Sequence, residues 1–201
     1  MKAVTGFRPL KSVYTASHGI PTIPYLIDDS ATLLEGSAVK LVGGLNGIAP
    51  ADAAGDVVFG YVKAFITKGQ HPLQTVSDNP AYVDGTYTAA PSGDTYVAAS
   101  DNRTDKQIMA LIVPAFGVIC SVKGDATPGT TANSNFAGGY IDILAGSSVL
   151  LDESSIVSGI ANYLTQPSQP GSQKCVDEFD GERFIVMAAE TQQGVSVSAT
   201  A

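Results

Sequence analysis

Histidine is the usual base of hydrolytic chemistry, and this 201-residue chain carries two, His18 and His71. Each stands beside a turn-forming neighbour, Gly19 and Pro72. No Gly-x-Ser-x-Gly elbow and no second histidine at ligand spacing accompanies either one, so both read as exposed loop residues and not as members of a triad. Cys120 and Cys175 are the two thiols. They lie far apart in sequence, outside any Cys-x-x-Cys or Cys/His pattern that holds a metal. They read as two buried free thiols, with a single bridge between them as the alternative. The glycine-rich stretches Gly43-Gly44-Leu45-Asn46-Gly47 and Gly138-Gly139 have no Gly-Lys-Ser/Thr ending and open no helix, which makes them turns and not phosphate cradles.

Carboxylates are the remaining chemistry, in Asp28-Asp29, Asp152-Glu153 and Asp177-Glu178-Phe179-Asp180-Gly181-Glu182. The last run alternates oxygen donors around a glycine. It lacks the 1-3-5 donor order and closing bidentate glutamate of a calcium loop, and reads as a charged hairpin turn. A glycosidase pair needs its two carboxyls about 5–9.5 Å apart in space, whatever their sequence spacing. A chain without tryptophan is poorly equipped for sugar stacking. No catalytic residue, no metal site and no cofactor is expected, and a β-fold hydrolase using carboxylates is the enzymatic alternative.

The elements around these residues read as β structure. Charged residues make up 15% of the chain, against about 25% in ordinary domains. That deficit suits a subunit packed among neighbours. A net charge of -8 argues against nucleic acid and anionic membrane as partners. No apolar run is long enough to cross a bilayer, and the N-terminus lacks the apolar stretch of a signal peptide, so assembly in a cytoplasm is expected.

Pro9, Pro21 and Pro24 deny helix to residues 1–27, which read as an extended N-terminal arm, too apolar for a solvated tail. Short strands broken by Gly and Pro follow: a turn and then an alternating run within 33–42; 57–66, with Gly60 as a bulge or bend and Lys63 pointing out; 82–83; 85–89; 95–99; 106–113; 116–122; 140–144; and 148–151. Ile156, Ile160 and Leu164, with Asp152 or Ser154 as cap, predict one short helix over 152–164. The last element is a hairpin turning at Asp180-Gly181. The fold class is therefore all-β: two small β-barrel or β-sandwich modules, 28–100 and 101–190, with the arm 1–27 before them and a tail 191–201 after. A single larger barrel or sandwich is the alternative.

The order of segments adds a resemblance. Gly6-Phe7-Arg8-Pro9-Leu10 leads to Leu34-Glu35-Gly36-Ser37-Ala38-Val39-Lys40-Leu41, then to Gly55-Asp56-Val57-Val58-Phe59-Gly60-Tyr61-Val62. Ile112-Val113-Pro114-Ala115-Phe116 and Gly138-Gly139-Tyr140-Ile141-Asp142-Ile143 come later. In layout and short phrases over most of its length, the chain resembles head decoration (cement) proteins of tailed bacteriophages. The resemblance implies a structural virion protein on the capsid exterior, often a homotrimer, that bridges subunits of the major capsid protein. A fibre or adhesin piece is the structural alternative, and the chain shows neither the repeats nor the heptads of one. The arm is then the expected docking element. Phe7, Leu10, Val13 and Tyr14 supply apolar contact, and Lys2, Arg8 and Lys11 supply charge for an acidic partner surface. The competing expectation is that the arm folds back as an edge strand on its own barrel.

Overall fold

The computed structural model describes residues 5–14, 19–42, 47–53, 56–66, 85–88, 92–98, 100, 109–125, 139–157, 173–180 and 183–188. Among them the regular structure is entirely β, as the sequence predicts, in fourteen strands and three sheets.

A closed barrel runs β2 (Ile23–Ile27), β5 (Gly47–Pro50), β4 (Ala38–Val42), β6 (Gly60–Ile66) and β9 (Met109–Pro114). Its pairs are antiparallel except β2–β5, which is parallel. A six-stranded sheet runs β1 (Arg8–Ser12), β10 (Val118–Lys123), β14 (Arg183–Ala188), β13 (Gln173–Asp180), β11 (Tyr140–Ile143) and β12 (Leu151–Val157). The small third sheet is β3 (Thr32–Leu34), β8 (Thr95–Ala98) and β7 (Gly85–Thr88).

The six-stranded sheet curls back on itself. Gly124, just past β10, makes a parallel bridge to Leu151 at the start of β12. Asp125 N–H donates to the Leu151 carbonyl at 2.9 Å, and Glu153 N–H donates to Asp125 Oδ1 at 2.9 Å. Numbered within its own unit, the barrel runs first, third, second, fourth, fifth around its ring, with first and third parallel. Strands β10, β12, β11, β13 and β14 repeat that order, with the same parallel step at Gly124–Leu151.

Two units of like connectivity are present, but they do not divide at residue 100. Strand β9 belongs to the barrel, while β1, from the start of the chain, is hydrogen-bonded to β10 in the other sheet. The expected free arm is likewise corrected over its described residues, because 8–12 and 23–27 are strands. Its prolines are accommodated where a missing N–H costs least. Pro9 lies on an edge strand, and Pro24 lies ahead of the Leu26 and Ile27 positions at which β2 meets β5. Lys2 of the arm, the strand expected at 82–83 and the tail 191–201 lie outside the described residues.

Strand composition follows from burial on both faces. Val39, Val62 and Ile112 fill the barrel, while their chain neighbours Ala38, Tyr61 and Val113 face a second core shared with Val118, Val122, Phe184 and Val186. That explains the unbroken apolar run of β9 and the buried Tyr61 and Val62 at the start of β6. Lys63 is exposed as expected, and the register shift falls beside it, between Val62 and Ala64, and not at Gly60. Gly60 serves a different need, since a Cβ there would stand 2.4 Å from Ile112 Cγ2 and 2.5 Å from the Val113 carbonyl oxygen.

The helix expected from Asp152 is overturned as far as Val157, because Leu151–Val157 is a strand. Asp152 does receive the Ser154 N–H at 3.0 Å, but in a turn within the strand, and Ser155 Oγ accepts from Asp142 N–H of β11 at 2.7 Å. Tertiary pairing outweighs a four-residue apolar spacing that helix and strand can share. Residues 158–164 lie outside the described residues.

Candidate functional site

Among the described residues, the groups singled out for chemistry are not brought together in a metal-binding set. His18 and His71 lie outside the described residues. Among the described residues no three of His, Cys, Asp and Glu are grouped to hold a metal ion. Cys120 is buried and free, and burial holds its thiol well above the ordinary value. Both Cys120 and Cys175 are in register with Val186, on either side of β14. Two strand spacings separate them by about 10 Å, beyond the reach of a disulfide. Asp177 and Asp180 lie on β13 in the expected hairpin with β14. Asp152 stands opposite Asp142 in the β11–β12 register. Asp142 is buried, and Ser154 Oγ donates to Asp152 Oδ1 at 2.6 Å.

Among the described residues, polar and aromatic contacts instead converge at a junction between the sheets. Phe7 is wholly buried and stacks on Tyr61 of the barrel, with ring centroids 4.7 Å apart. The Tyr61 hydroxyl donates to Gln173 Oε1 of β13 at 2.8 Å, and both residues are buried. Burial first, and then the neighbouring Cys120, raise the Tyr61 pKa well above its ordinary value, opposed by the Gln173 bond. The phenol therefore stays protonated as the donor.

The chain entering this junction is held at each residue. The Thr5 hydroxyl donates to the Ser92 carbonyl, and Phe7 N–H donates to the Gly36 carbonyl at 2.8 Å. Arg183 Nη2 donates to the Gly6 carbonyl at 2.6 Å and the Ser121 carbonyl at 2.8 Å, while its Nε donates to Ser121 Oγ at 2.7 Å. A Cβ on Gly6 would lie 2.3 Å from the Gly36 oxygen, so only glycine admits this approach.

Beside it, two like turns meet. Leu34-Glu35-Gly36-Ser37 and Leu144-Ala145-Gly146-Ser147 each close with an N–H of the serine on the leucine carbonyl, at 2.9 and 3.0 Å. Gly36 and Gly146 carry φ of 89° and 81°, the third position of a type II turn. Ala38 N–H donates to the Ser148 carbonyl at 2.7 Å, and Ser148 Oγ donates to Ser37 Oγ at 3.1 Å. The repeated Leu-x-Gly-Ser is the sequence signal for this junction. Arg183 and Gln173 have no such signal, because their partners are distant in sequence.

The six described residues expected to bind a partner therefore separate. Phe7 is core and unavailable to a partner, because its ring fills the space against Tyr61. Arg8 and Lys11 are exposed, and so are Leu10 at 48%, Val13 at 52% and Tyr14 at 66%. Phe116, which sequence reasoning did not select, joins them at 53% exposed, with its ring 5.5 Å from that of Tyr14. Val13 N–H donates to the Gly117 carbonyl at 2.8 Å, and the Tyr14 ring lies where any side chain on Gly117 would be. The strip is thus a fixed ridge on the edge of the sheet.

The chain matches no protein-family model, no curated protein and no solved structure.

Proposed function

We propose that this chain is a structural, non-catalytic virion protein that decorates the outside of a tailed-phage capsid, bridging subunits of the major capsid protein as a homotrimer. The resemblance in segment order supplies the family. The observation that carries the reading is the ridge of Leu10, Val13, Tyr14 and Phe116, flanked by Arg8 and Lys11, on a chain of net charge -8. Exposed apolar side chains held in fixed positions beside cations suit a protein surface better than solvent.

Co-sedimentation of the full-length chain with phage heads stripped of accessory proteins tests this. Saturable binding that falls on Tyr14→Ser with Phe116→Ser supports the reading, and mass spectrometry of intact particles should then count hundreds of copies. A handful of copies per particle would indicate a fibre or an enzyme, and no binding to any head would remove the reading.

A further inference from the structure

The open side of β1 is unsuited to accepting another strand. Pro9 lacks an N–H, the register shifts between Pro9 and Lys11, and charged Arg8 and Lys11 stand along it. Contact there must be made by side chains. From their fractional exposures, Leu10, Val13, Tyr14 and Phe116 offer roughly 400 Å² of surface, about half of what one partner contributes to a standard interface. The remainder has to be polar, so the surrounding charges decide what fits.

Those charges are cationic. Arg8 and Lys11 have no ion-pair partner among the described residues. Arg8 also lies close enough to repel Arg183, whose pKa is lowered first by burial and then by that charge. An anion brought from outside would relieve both. Arg8 is paired with Ser121 on the side of β10 away from β14, and just past the end of β10 Gly124 bridges to Leu151. There Asp125, Asp152 and Glu153 are exposed or partly exposed, with Lys123, in register with Arg183 of β14, beside them. One margin of the sheet is thus basic and apolar at one end and acidic at the other, which makes it complementary to another copy of itself.

We propose that the Arg8, Lys11, Tyr14 and Phe116 strip of one copy docks against the Asp125, Asp152 and Glu153 margin of a second copy of this chain. This rests on the reading above and names its self-association contact: the ridge is covered by a second copy, and head binding falls on Tyr14→Ser with Phe116→Ser because the assembly is lost.

Sedimentation velocity of the full chain across the micromolar range is the test. Reversible, salt-sensitive self-association is expected, weakened at least about tenfold by Arg8→Glu with Lys11→Glu while the melting temperature holds. Mixing that variant with Asp152→Lys, Glu153→Lys should restore association between the two. Because the second variant alters a turn within β12, carboxyl-to-amine cross-linking of mixed light and heavy wild-type copies gives an independent reading. A peptide joining Lys11 of one copy to Asp152 or Glu153 of another is expected. A wild-type chain that stays monomeric throughout, or a reversal variant that associates as before, or cross-linked copies without that peptide, would each overturn the contact. If particle binding persists in such a case, the contact alone has failed.

Discussion

Replacing Phe7 with alanine separates a docking arm from a structural one. A side chain that waits in solvent for a partner contributes almost nothing to folding. Phe7 instead has no exposed surface and stacks on Tyr61 with ring centroids 4.7 Å apart. The Gly6–Phe7 peptide is fixed at its N–H by the Gly36 carbonyl and at its carbonyl by Arg183, and Arg8 on the other side is paired with Ser121, so the site cannot collapse to fill the space. Buried Phe→Ala changes cost about 3–5 kcal/mol, a large part of the 5–15 kcal/mol that holds a typical domain. In a protein of this size each kcal/mol moves the melting temperature by about 2–4 °C, so Phe7→Ala should lower it by about 6–20 °C. Differential scanning calorimetry or urea denaturation reads this directly. Tyr14→Ser, on the exposed ridge, is the control and should stay within about 0.5 kcal/mol of wild type. A Phe7→Ala loss below about 1 kcal/mol, with the urea slope unchanged, would refute the seating of Phe7 in the core. For the same reason, deleting residues 1–14 should unfold or severely weaken the protein, the reverse of what a detachable arm predicts.

Gly6→Ala should destabilise by about 1–3 kcal/mol, because the added methyl meets the Gly36 carbonyl at 2.3 Å and backbone must shift; wild-type denaturation would show that the approach is not tight. Tyr61→Phe, which removes a buried donor from Gln173 Oε1, should cost about 1–3 kcal/mol in the same assay, and a neutral result would mean that the bond contributes nothing. Cys120 and Tyr61 both have pKa values raised on folding, so the stability they contribute is complete below their unfolded values and declines as pH rises past them. The unfolding free energy from urea denaturation should therefore fall from about pH 8.5 for the thiol and about pH 10 for the phenol, by up to about 1.4 kcal/mol per pH unit for each group, and the midpoint with it. Cys120→Ala should remove the first decline; a midpoint flat to pH 10 in the wild type would contradict the buried thiol. Cutting the chain at residue 100 should yield no independently folded half, since the first fragment lacks β9 and the second lacks β1; two cooperative fragments would show that the strand exchange is dispensable.

The all-β class and most strands were legible because Gly and Pro punctuate the chain and β-branched runs lie between them. Val57–Ile66 was readable as a doubly buried strand, with Lys63 facing out, and β6 begins at Gly60 within it. The helix expected at 152–164 failed over its first residues because apolar spacing of four suits either state, and the β11 partner that decides it lies in another segment. The role of Phe7 was hidden for a similar reason. Its neighbour Pro9 speaks for extended chain, but nothing local says whether extended chain lies on its own sheet or on a foreign surface. Of the six described residues expected to meet a partner, Arg8, Leu10, Lys11, Val13 and Tyr14 are exposed. Phe116 was missed because its ridge forms only when the turn after β9 is brought beside β1.

The exchange of strands gives the two units a shared fate. The barrel closes only with β9, which leads directly through Ala115–Gly117 into β10, and β10 is held on its far side by β1 from the chain's beginning. Between them, Phe7 on Tyr61, Tyr61 on Gln173 and Arg183 on Gly6 join the barrel, the six-stranded sheet and the N-terminal segment in one connected set. A pull on the exposed ridge at Tyr14 is therefore carried through the β1–β10 ladder into a core that both units share, and not into a flexible tether. For a protein whose proposed work is to hold other subunits in place, that is the relevant difference. A tether transmits force only when extended, whereas a strand sheared along its ladder must break its hydrogen bonds together before it yields.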